Sequence, residues 1–168
     1  MPNFNKKGWN KSMNYFHKEY NLSKYEKLII YLEREGIKVY ELDVEPGIPY
    51  AKYVDGHIGI NRNIPESLKI ELIVEELGHH RKTYGNITDL TNIKNLKLEI
   101  IARREGHNIL LHPDDLLKPL SKGARNIYEF SEHLNISEER LLEIIKYWKN
   151  IHGHGIHIGD YYLNLLQM

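Results

Sequence analysis

The chain has 168 residues, with 23 basic and 23 acidic side chains and a formal net charge of zero. That length is one ordinary domain with room for a real core, and the neutral balance exerts no broad pull toward nucleic acid or an anionic membrane. There is no cysteine, so disulfides and thiolate chemistry are excluded and any metal must be held by His, Asp or Glu.

Residues 1–22 carry Lys6, Lys7, Lys11 and Lys18 and read as a mildly basic N-terminal arm or solvated helix. No apolar signal region opens the chain, and no apolar run approaches the length of about 18 residues that spans a bilayer. A cytoplasmic protein without a membrane partner is expected. "SKYEKLIIYLEREG" reads as a helix, with Ser23 as N-cap, apolar Leu28, Ile29 and Leu32, and Gly36 as the stop. "IKVYELDV" alternates and reads as a strand, broken by "EPGIP". "YAKYVDGHIGINRN" reads as a hairpin turning at Asp55-Gly56.

Pro65 opens a long helix expected to run to about Tyr84, with Gly85 past its end. A second helix covers roughly Ile93 to Leu111 and stops before Pro113. Residues 124–150, "ARNIYEFSEHL", "NIS" and "EERLLEIIKYWKN", make two helices with a helix-turn-helix-like rhythm, the last capped by Ser137. That last helix begins Glu138-Glu139, a poor start for meeting phosphates, so direct nucleic-acid binding is not expected. "HGIHIGDYYLNLL" reads as a closing strand or hairpin, and the histidines of "HGHGIH" as a glycine-rich turn into it. This order predicts an α+β domain over residues 1–168, a small antiparallel sheet packed with several helices.

The chemistry-bearing stretch is "VEELGHH", residues 74–80. On a helical wheel Ile70, Ile73, Val74 and Leu77 share a core face, while Leu68, Leu72, Glu75 and His79 line up on the other side. The helix is therefore central to the fold, and Glu75 and His79, one turn apart, are partly buried. A partly buried carboxylate needs a partner, either a metal ion or an Arg or Lys. Glu76 lies beside this pair, placed to reach a metal-held water without being a ligand. Two residues at i, i+4 with an intervening Glu base is the division of labour in the signature H-E-x-x-H. Glu76 and His80 form a second i, i+4 pair, and spacing alone does not rank the two.

Three protein ligands are the norm for a catalytic zinc site. Glu99, Glu105, His107 and His112 are the downstream candidates. Glu99 shares a helix face with Ala102, Arg103, Gly106 and Leu110, and the small Ala102 and Gly106 let two helices approach closely. That approach would carry Glu99 to the metal; pairing with Arg103 is its other use. Glu105 points to the other side of its helix.

Taken together, "VEELGHHRKTYGNITD" and "NLKLEIIARREGHNILLHPDDL" resemble the ImmA/IrrE family of metallopeptidases of phages and other mobile elements. The matching motifs are Glu75 to His79 for H-E-x-G-H, Glu99 to Ala102 for E-x-x-A, and Leu110 to Pro113 for the closing L-L-x-P. The resemblance runs from about residue 24 to the end of the chain. It implies a zincin-like, gluzincin-type fold, with Glu75, His79 and Glu99 as metal ligands and Glu76 as the group that activates water. His80 or Tyr84 would contact the transition state. The family's usual members cut a repressor, often a helix-turn-helix regulator encoded beside them.

Two departures matter. The stretch from Ala102 to Pro113 is about one residue longer than the family pattern, and Glu75 stands where the first histidine belongs. A Glu, His, Glu set is harder and more anionic than His, His, Glu. It weakens the preference for zinc toward manganese or iron and makes the metal a poorer Lewis acid. The expected activity is a metal-dependent endopeptidase acting on a repressor. The alternative is an impaired relative that sequesters a regulator without cutting it.

Overall fold

The computed structural model describes residues 22–82 and 91–167. Residues 1–21 of the expected N-terminal arm, together with Tyr84 and the helix stop at Gly85, lie outside the described residues. Helix α1 (Lys24–Arg34) is nucleated by a capping box: Ser23 Oγ accepts from Glu26 N–H, and the Glu26 carboxylate accepts from Ser23 N–H. It buries Leu28 and Leu32. Strands β1 (Lys38–Leu42), β2 (Ala51–Val54) and β3 (His57–Asn61) follow. Asp55 and Gly56 both have positive φ, as the tight β2–β3 turn demands.

The sheet is not the antiparallel one expected. Its order is β1-β3-β2, with β2 antiparallel to β3 but β1 parallel to it, Val39 opposite Ile58 and Glu41 opposite Ile60. The physical reason is the connection. Residues 43–56, β2 among them, carry the chain across the sheet, which is the length a parallel pairing requires, about a dozen residues or more. The hairpin then returns β3 into the gap. Alternation along "IKVYELDV" marks a strand but is silent on its direction, and within β1 only Val39 is half-buried.

Helix α2 (Glu66–Lys82) lies against the inner face of this sheet and is crossed by α3 (Ile93–Leu110). A one-turn 3-10 segment (Pro113–Leu116), α4 (Leu117–Ser121), α5 (Ile127–Leu134) and α6 (Glu138–His152) complete the helical part. Strands β4 (Gly155–Ile158) and β5 (Tyr161–Asn164) close the domain as an antiparallel hairpin. The core joins Leu28 and Leu32, Ile58 and Ile60, Ile70, Ile73 and Leu77, and Leu141, Ile144, Ile145 and Trp148. The α2 core face is therefore the one the wheel assigned, and Leu68, Leu72, Glu75 and His79 on the opposite line are half-buried. Among the described residues no helix is long and apolar enough to cross a membrane.

Candidate metal centre

The site is built at the α2–α3 crossing. Gly78 faces Ala102, and Gly106 faces Val74. A methyl group on Gly78 would overlap the Ala102 carbonyl oxygen and stand 3.1 Å from Gly106 N. One on Gly106 would stand 3.1 Å from the Val74 carbonyl. The helices thus touch backbone to backbone, which brings Glu99 of α3 up to α2.

Glu75, His79 and Glu99 converge, with one ligating atom from each lying within 4.8 Å of the others. All three side chains are half-buried. His79 Nε2 is 3.5 Å from Glu99 Oε2. Two atoms each about 2.1 Å from one tetrahedral ion are about that far apart. The trio therefore fits a divalent ion in donor type, and this pair fits it in separation. Each carboxylate also has a guanidinium. Arg103, one turn along α3, donates to Glu99 Oε1 at 3.1 Å, leaving Oε2 toward His79. Arg140, in the first turn of α6, donates to Glu75 Oε2 at 2.8 Å. Of the two partners named for a half-buried carboxylate, Glu75 has the arginine.

Arg140 arrives there because α6 is docked on α2. Glu71, 4 % exposed, accepts from the N–H and hydroxyl of Ser137, the α6 N-cap. A carboxylate at a helix N-terminus is favourable to the exposed N–H groups and the dipole. Glu75 is one turn along α2 from Glu71, and Arg140 is three residues on from Ser137, so docking one pair aligns the other.

Glu76 takes a different partner. Its Oε2 accepts from Tyr53 N–H of β2 at 2.8 Å. Burial pushes its carboxyl above the ordinary value, against the Tyr53 hydrogen bond and His79, which favour the charge. Because Tyr53 N–H points to Glu76, the β2 edge faces the site. The exposed His80 ring lies on Tyr53 with centroids 4.2 Å apart, and its Nε2 is 3.4 Å from the Tyr53 hydroxyl. The Glu76/His80 pair is therefore turned to the hairpin, and neither residue belongs to the converging trio.

The remaining candidates go elsewhere. Glu105 pairs with Arg81 at 3.7 Å and Lys82 at 3.4 Å. His112 is exposed and caps the Pro113 turn, its Nδ1 accepting from Asp114 N–H. His107 is 6 % exposed, has no hydrogen-bond partner at either ring nitrogen among the described residues, and lies 3.6 Å from Glu143 Oε2. Burial, helped by Arg140 and Arg103, lowers it to about 4. His154 and His157 sit on the exposed glycine turn and outer face of the β4–β5 hairpin. The first turn of α6, the start of the helix-turn-helix-like second helix, is packed on α2 through Ser137 and Arg140.

Two residues of this centre escaped sequence reasoning, Arg140 and Tyr53. The only signal for Arg140 was the need of a half-buried Glu75 for a cation. Nothing local pointed to Tyr53, whose contribution is a backbone N–H. No family model, curated protein or solved structure matches this chain.

Proposed function

We propose that the chain is a metal-dependent endopeptidase of zincin-like, gluzincin-type fold, akin to the ImmA/IrrE family, that cuts a protein substrate such as a helix-turn-helix repressor. The observation that carries the reading is the convergence of Glu75, His79 and Glu99 beside a half-buried Glu76. A divalent ion held by the three, zinc or else manganese or iron, would polarise the scissile carbonyl and acidify a bound water. Glu76 is the general base. Its raised proton affinity moves it toward working pH, and Tyr53 N–H holds one oxygen while the other is free to take the water proton. β2, at the sheet edge beside Glu76, offers the substrate an extended strand to pair with. His80, packed on Tyr53, is the described candidate for contact with the developing oxyanion.

The test is Glu76→Gln, assayed for cleavage of a helix-turn-helix regulator encoded beside the chain. Loss of a general base is expected to slow cleavage by about 100-fold or more; an unchanged rate rejects the role of Glu76. One observation favours a second reading, a non-catalytic binder of a regulator: Glu75 already has a cation in Arg140. Metal analysis separates the two. Less than about a tenth of an ion per purified chain, with no uptake of added zinc or manganese, selects the binder.

A further inference from the structure

Arg140 does more at Glu75 than docking requires. Its side chain, 16 % exposed, spreads over three carboxylates: Nη2 to Glu75 at 2.8 Å, Nη1 to Glu143 at 3.0 Å and Nε to Glu71 at 3.7 Å. Glu71 already anchors α6 through Ser137 N–H and Oγ. The guanidinium fork is what can meet several fixed acceptors at once; an ammonium is a point charge.

A carboxylate at position 75 carries a charge that an imidazole would not. Half-buried, it needs a cation at all times. Arg140 takes one oxygen, Oε2, and leaves the other. We propose that Arg140 is the positioning residue that makes a carboxylate usable as the first metal ligand. It fixes the orientation of Glu75 through one oxygen, and that positioning outweighs the repulsion between the guanidinium and the ion. This rests on the metal-centre reading above. Metal-ligating carboxylates are themselves held by hydrogen bonds that tune the ion; here that outer partner comes from a helix 65 positions away in sequence. The consequence is a coupling between positions 75 and 140. Beside Glu75 the guanidinium is a partner. Beside a histidine it would be an extra positive charge next to a divalent ion.

The experiment titrates full-length wild type, Glu75→His, Arg140→Gln and the double variant with zinc chloride and manganese chloride against a chelating dye, with circular dichroism as the folding control. Arg140→Gln is expected to weaken zinc binding about 10–100-fold. Glu75→His is expected to bind zinc no more than about twofold better than wild type while Arg140 remains, and the double variant about tenfold or more tighter than Glu75→His. If Arg140→Gln does not fold, Arg140→Lys replaces it, keeping the charge without the fork, with a loss of about tenfold expected. Binding by the Arg140 variant within about twofold of wild type, or a gain of about tenfold from Glu75→His alone, overturns the role of Arg140 and leaves the metal centre standing. A wild-type chain that takes up neither ion overturns both.

Discussion

Replacing Gly78 with alanine adds one methyl group at the tightest point of the α2–α3 crossing. Its carbon would lie inside 3.0 Å of the Ala102 carbonyl oxygen, where an unstrained contact is about 3.5 Å, so the helices must part by about 1 Å. The obstructing atom is backbone and cannot rotate away. The penalty therefore falls at the upper end of the overpacking range, about 3 kcal/mol. Alanine returns about 1 kcal/mol of helix propensity, leaving a net loss near 2 kcal/mol by the same estimates. The same shift moves Glu99 on α3, whereas ligand distances tolerate only about 0.2 Å. Urea unfolding of the metal-free protein should show the stability loss, and zinc titration should show affinity lowered by about 100-fold. A Gly78→Ala chain as stable as wild type, with zinc affinity within about twofold, would refute the view that this crossing positions Glu99.

Two further outcomes follow from proton affinity in the metal-free protein. His107, lowered to about 4 by burial and by Arg140 and Arg103, is favoured neutral in the fold, while an unfolded histidine titrates near 6.5. Its contribution is full above about pH 6.5 and is lost as pH falls toward 4, amounting to about 2 kcal/mol between pH 7.5 and 5. Urea midpoints of wild type and His107→Leu check this: only the chain that keeps His107 should lose that increment, and identical pH dependence sinks the argument. Glu76 has the opposite sense, since a raised carboxyl destabilises the fold as pH climbs through its folded value. Glu76→Gln keeps an acceptor for Tyr53 N–H. It should melt higher than wild type near pH 7 and level with it below about pH 4, where both side chains are neutral. A lower melt near neutrality would show that the hydrogen bond from Tyr53 outweighs burial.

What was legible in the sequence depended on distance along the chain. The α2 stripe and the half-burial of Glu75 and His79 repeat at the helical period, so both were read from one segment. The approach of Glu99 was also readable, because Ala102 and Gly106 announce a close crossing whatever packs there. The direction of β1 was not, since alternation looks the same in parallel and antiparallel pairs. At Glu99 the pairing with Arg103 takes one oxygen and leaves the other toward His79. Glu75 shows where local reading stops. A half-buried carboxylate on a wheel requires a cation but does not say whether that cation is a side chain or an ion. Only the packing of α6 against α2 supplies Arg140, and it does so on one oxygen of two. The surroundings of position 75 are therefore set by a tertiary contact, and a histidine introduced there without a change at Arg140 would lie beside a guanidinium.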